Sequence, residues 1–304
     1  MRSSNNHVRI VLCLLCLVAL ISLASLALSE KEATRQDSRT IIFEVSSIFY
    51  ESDQSGPHLS IAPIVVIEDG QYVKPPAKCD EKETFGKSWF RLGTVYRLLF
   101  GGGEVGHVKV TKWLVPSPDE CLENAAMVRM KSSRKLGRGE VALATNSISI
   151  GHKKSLRRPP TMEEKAKILK LGQEIFRANG VSEEQMQSMN AYGLAVIDVD
   201  GDGINEMLGS FQIYRRKDEP DRNLFLLLEK QEGEYQPAIS WYHSTSDIME
   251  THSKTFIDNL DLDQDGIDEL IIREMFVCEA TRYQIYKKKE RQWQVMYEGG
   301  GVTC

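Results

Sequence analysis

The chain has 304 residues, 41% of them hydrophobic and 27% charged, with a formal net charge of -5. That length holds one large or two ordinary domains, and that balance belongs to a folded chain, not a disordered one. A weakly acidic chain also excludes a general nucleic-acid binder, whose phosphate contacts need clustered Lys and Arg.

In chain order, the first signal is the N-terminus. Arg2 and Arg9 precede an almost purely apolar run over residues 10–28, closed by the small residues Ser25, Ala27 and Ser29. This predicts a secretory signal peptide over residues 1–29. The run is longer than a typical signal core and just long enough to span, so an uncleaved anchor is the alternative. Either way the rest is expected to be exported, to the periplasm, the outside medium or the outer face of a membrane. Contact with the membrane would then come only through this segment. Cys79, Cys121, Cys278 and Cys304 form an even set that suits an oxidising compartment. Three pairings are possible, and proximity favours Cys79–Cys121 with Cys278–Cys304.

Residues 30–38 are a polar, flexible leader. Residues 39–150 read as an N-terminal β domain. Strands are expected from Thr40, across a hairpin turning at Asp69-Gly70, over 90–100, over 105–115 and over 141–150. Residues 151–190 combine a basic, proline-ended linker with a helical segment at about 161–189. Thr161 and Glu164 make a capping box, Asn179-Gly180 stops the helix, and Ser182 opens a second short one. Residues 191–304 are β again. The fold class is therefore mostly β, with antiparallel sheet units that are either propeller-blade-like or a small sandwich; two units favour the smaller assembly.

The last region contains an internal repeat. Asp198-Val-Asp200-Gly-Asp202-Gly203-Ile204-Asn-Glu206 returns as Asp261-Leu-Asp263-Gln-Asp265-Gly266-Ile267-Asp-Glu269. Calcium takes six to eight oxygens, and carboxylates at positions 1, 3 and 5 of a tight loop converge on one point. Glycine at position 6 permits the sharp turn that brings the next carbonyl inward. The candidate ligands are Asp198, Asp200, Asp202, the Ile204 carbonyl and Glu206 for one ion. For a second they are Asp261, Asp263, Asp265, the Ile267 carbonyl and Glu269. Two calcium ions are expected. The loops are not EF-hands, which need a bidentate Glu at position 12; Gly209 and Ile272 stand there, and the flanks read as strands.

An Asp-x-Asp-x-Asp-Gly loop running into an apolar strand resembles the FG-GAP/VCBS-type repeats of integrin-like β-propellers and many exported bacterial proteins. The resemblance covers the C-terminal third. It implies antiparallel sheet units in which calcium clasps a hairpin. Glu at position 9 replaces the commoner Asp, and two copies are fewer than the 4–8 blades of a closed propeller.

Other signals carry less. Gly101-Gly-Gly103-Glu-Val-Gly106 fits a dinucleotide fingerprint in spelling, but an alternating strand pattern follows where a helix is needed. The basic groups Lys131, Arg134, Lys135, Arg138 and Lys153, Lys154, Arg157, Arg158 read as solvated loops. Trp89, Phe90, Trp241 and Tyr242 read as core, and no spacing assigns a catalytic residue. The expected function is an exported calcium-binding protein with structural calcium and an interaction, scaffold or ligand-binding role toward a protein or glycan. The alternatives are an exported glycan hydrolase-like enzyme and a glycan-binding module.

Overall fold

The computed structural model describes residues 39–48, 58–115, 124–135, 140–152, 154, 157–216, 219–247, 250–276 and 280–301. The expected signal segment and leader lie outside these residues. So do Cys121, Cys278 and Cys304, and with them the expected disulfides.

The N-terminal part runs β1 (Thr40–Ile48), β2 (His58–Glu68), β3 (Gln71–Val73), α1 (Cys79–Trp89), β4 (Val95–Phe100), β5 (Gly103–Leu114), β6 (Ala125–Ser132) and β7 (Ala142–Thr145). The antiparallel order β1-β7-β4-β5-β6-β2 closes on itself because β1 also pairs with β2, giving a six-stranded barrel. The short β3 extends β2 through the expected turn, with both Asp69 (φ 51) and Gly70 (φ 73) left-handed as a type I′ turn demands. Side chains alternate across the wall. Ile41, Phe43 and Val45 of β1 enter the barrel core with Phe90, Tyr96 and Leu98, while Ile42 faces outward.

Reading residues 39–150 as purely β misses α1. Its eleven residues are dominated by Asp, Glu and Lys, and its apolar anchors Phe85 and Trp89 pack on the barrel core. Two anchors are too few to announce a period of 3.6. Because the helix runs to Trp89, the strand expected from residue 90 begins only at Val95.

The helical segment is α2 (Met162–Ala178) and the single turn α3 (Glu183–Met186). Both capping boxes form, Thr161 with Glu164 and Ser182 with Gln185. Two four-stranded antiparallel meanders follow. The first holds β8 (Met189–Ile197), β9 (Glu206–Arg216), β10 (Glu219–Gln231) and β11 (Glu234–Ser244). The second holds β12 (His252–Leu260), β13 (Glu269–Phe276), β14 (Thr281–Lys289) and β15 (Gln292–Gly299).

The two meanders pack face to face. Ala195, Ile197, Leu208, Phe225 and Leu227 of the first meet Phe256, Leu270, Ile272 and Tyr286 of the second. The outer face of the first sheet is covered by α2 through Ile168 and Phe176. The outer face of the second rests on the barrel wall, where Ile257, Ile271, Tyr283 and Ile285 meet Ile42, Ile64, Val65 and Leu143. The sequence of layers is thus barrel, second sheet, first sheet, helix. No helix among the described residues is long and apolar enough to cross a membrane.

A polar seam fixes the second sheet on the barrel. The Gly101 amide donates to both carboxylate oxygens of fully buried Asp258, at 2.8 and 2.9 Å. His152 Nε2 lies 2.7 Å from Asp268 Oδ1, and Asn259 Nδ2 donates to Asp268 Oδ2. A Cβ on Gly102 (φ +72) would come within 2.8 Å of Asn259, so the glycine run serves close approach. Arg157, expected in a solvated loop, instead lies over the rings of Phe100 and Phe256 and donates to the Ile257 carbonyl.

Candidate metal centre

Both Asp-rich segments are loops between the first two strands of a meander, β8 to β9 and β12 to β13. They touch: the Asp268 amide donates to the Val199 carbonyl at 3.0 Å. Their backbones match. Position 4 is left-handed in each, Gly201 (φ 69) and Gln264 (φ 63), as is position 6, Gly203 (φ 82) and Gly266 (φ 90).

Their internal hydrogen bonds match as well. The position 6 amide donates to the first carboxylate, Gly203 to Asp198 and Gly266 to Asp261, both at 3.0 Å. The Ile204 and Ile267 amides donate to Asp202 and Asp265. Each Glu reaches back to the amide at position 2, Glu206 to Val199 at 2.9 Å and Glu269 to Leu262 at 2.7 Å. A motif shared in spelling is therefore shared in conformation.

The surroundings differ. In the first loop, carboxylate oxygens of Asp198, Asp200 and Glu206 lie within 4.8 Å of one another. Asp198 Oδ1 and Asp200 Oδ1 are buried and have no hydrogen-bond partner among the described residues. Asp202 is exposed and stands outside that group, engaged with its own turn. Lys288 approaches from the second sheet, 2.8 Å from Asp200 Oδ2 and 3.0 Å from Glu229 Oε1. Glu229 also accepts from Trp293 Nε1.

In the second loop Asp261, Asp263 and Asp265 gather in the same way. Here an ammonium stands among them. Lys287 Nζ is 2.5 Å from Asp263, 2.8 Å from Asp265 and 2.9 Å from Glu269, and its side chain is 7% exposed. Asp261 accepts amides on both oxygens, from Asp265 at 3.1 Å and Gly266 at 3.0 Å. Adjacent residues of a strand point to opposite faces, so Lys287 and Lys288 serve different loops.

Burial pushes the Glu206 and Glu269 carboxyls up to about 7, against the amides that each accepts. Burial alone would lower the Lys287 ammonium. Its hydrogen bonds to Asp263, Asp265 and Glu269 outweigh that and hold it above the usual lysine range.

Of the expected ligands, the structure brings Asp198, Asp200 and Glu206 together in one loop and Asp261, Asp263 and Asp265 in the other; Glu269 joins the second through Lys287. Ile204 is exposed and Ile267 half-buried at the two turns. Sequence reasoning missed Glu229, Lys287 and Lys288. Strand register could have found the first two. Met207 pairs with Leu228 and Leu270 with Tyr286, so Glu229 and Lys287 come next, at corresponding places beside Glu206 and Glu269.

The aromatic residues follow the core reading. Phe90 lies in the barrel core, Tyr242 packs with Phe176, and Trp241 lies against the core between the sheets. Comparison with protein families, characterised proteins and solved structures finds no match to this chain.

Proposed function

We propose that this is an exported calcium-binding protein in which calcium at the first loop stabilises a stacked-sheet scaffold for a protein or glycan partner. One observation carries the reading: Asp198 Oδ1 and Asp200 Oδ1 are buried without a donor among the described residues. Buried polar groups are nearly always satisfied, and a buried carboxylate oxygen left unpaired costs several kcal/mol. Glu206 beside them adds a third acidic group, with Glu229 close by. The donor set is all oxygen, which suits a hard cation such as calcium. The first loop's Asp-Gly-Asp-Gly spelling, its resemblance to FG-GAP/VCBS-type repeats and the apolar N-terminal segment all favour the same reading. Calcium here would hold the β8–β9 loop, and through the Asp268–Val199 hydrogen bond the neighbouring loop, at one end of the stack.

Thermal unfolding of the purified protein with calcium, with magnesium and with chelator tests this. At a hundred times Kd the bound form gains about 2.7 kcal/mol. For a chain of this size that raises Tm by roughly 4–5 °C. Asp200→Asn should abolish the gain. Equal melting with calcium and chelator would refute the reading.

A further inference from the structure

The two loops share a backbone but not a cation. We propose that Lys287 is the built-in cation of the second loop, so that the chain takes one calcium at the first loop and none at the second. This rests on the calcium reading for the first loop only in its stoichiometry; the claim about Lys287 stands on its own contacts.

The argument is one of donors and acceptors. An ammonium carries three protons and no acceptor. Lys287 lies within hydrogen-bond reach of three carboxylates, Asp263, Asp265 and Glu269, and is almost wholly buried. The remaining acid, Asp261, is served by two amides. Asp261, Asp263 and Asp265 thus have N–H or ammonium partners, and Glu269 accepts the Leu262 amide on one oxygen while the other, Oε1, has the ammonium 2.9 Å away as its only counter-charge among the described residues. Calcium could enter only by expelling a buried ammonium or by sitting against it, and two cations that close in a partly buried site repel strongly.

The first loop is the converse. The corresponding ladder position holds Glu229, so a carboxylate stands where the second loop has an ammonium. Lys288 reaches Asp200 by one oxygen and leaves the other, with Asp198 Oδ1, unpartnered among the described residues. One register position therefore separates a loop whose ammonium meets a single ligand-position carboxylate, Asp200, from a loop whose ammonium lies among three.

The test is calorimetric titration of calcium into the full-length protein and its variants. Wild type should show one saturable site, lost in Asp200→Asn and unaffected by Asp263→Asn. Lys287→Met should show two, the new one with Kd of about 10⁻⁴–10⁻³ M, removed again by adding Asp263→Asn. Lys287→Arg, which keeps the charge, should show one. Two sites in wild type would overturn the proposal, as would a wild-type site that Asp263→Asn weakens, a measurement that holds even if Lys287→Met fails to fold. A folded Lys287→Met with no more sites than wild type would also overturn it. A wild type that binds none, beside a Lys287→Met that binds one, would refute calcium at the first loop and leave Lys287 as the cation of the second.

Discussion

Asp258→Asn should change how stability depends on pH. Asp258 is fully buried at the seam between the second sheet and the barrel and accepts the Gly101 amide on both oxygens. Burial raises its carboxyl from 3.8 to about 7, opposed by Arg157 and by backbone amides. In the unfolded chain the acid ionises near its ordinary value, so the folded state binds the proton more tightly. The stabilisation this represents is full below about pH 4 and is lost as pH rises to about 7. A difference of roughly three units at 1.36 kcal/mol each makes about 4 kcal/mol. Asparagine keeps the shape and an acceptor for Gly101 but does not titrate. Urea unfolding of both proteins in chelator, from about pH 4 to about pH 8, isolates the effect. Glu206 and Glu269 titrate in both and cancel in the difference. Wild type should lose about 4 kcal/mol more than the variant across that window. Parallel curves would mean that Asp258 stays ionised beside Arg157 throughout and would refute the burial argument.

Phe225→Ala removes a ring from the interface between the two sheets, where it is 1% exposed, and should cost about 3–5 kcal/mol by equilibrium unfolding. Thr161→Ala breaks the α2 capping box and should cost about 1 kcal/mol by the same measurement. Glu164 in that box is held down at about 2 by the Arg158 fork, against burial. Its contribution is therefore present above its ordinary range and lost as pH falls toward 2; an acid titration of Glu164→Gln should lack that loss. Gly172→Ala would place a Cβ 2.8 Å from the Phe211 ring. The gain of about 1 kcal/mol in helix propensity is then outweighed by overpacking of about 1–3 kcal/mol, and a rise in Tm would show that the ring moves aside freely.

Where the fold follows from short-range chemistry, the sequence announces it. Asp69-Gly70 and the two capping boxes are local rules, and each appears where expected. The loop spacing likewise led to two matched backbones. Barrel closure was not legible, because it depends on β1 pairing with both β2 and β7, and Ile42 sits opposite Thr145 across about a hundred residues. No local pattern encodes such a contact. At the site the acidic clustering was legible and the counter-charge was not. Lys287-Lys288-Lys289 looks like an ordinary charged strand end. Only strand parity and the stacking of the sheets send Lys287 to one acidic loop and Lys288 to the other.

The layers also explain how two blade-like sheets suffice without a ring. A four-stranded meander with two apolar faces must bury both, and a closed propeller does so by giving every blade two neighbours. Here each sheet has one sheet neighbour and one substitute. The first sheet turns Met207, Phe211 and Leu226 toward Ile168 and Phe176 of the helix. The second turns Ile271, Tyr283 and Ile285 toward the barrel wall. The substitutes are not passive lids. Arg158 at the head of the helix exchanges backbone hydrogen bonds with Val196 on β8, one strand turn before the first acidic loop. Glu44 on the outer wall of the barrel accepts from Arg273 and Tyr283 of the second sheet. Each cap is thus keyed by polar contacts to a particular sheet, which sets the order of the stack as apolar burial alone would not. The acidic loops then lie side by side at one end of that stack, joined by the hydrogen bond between the Asp268 amide and the Val199 carbonyl.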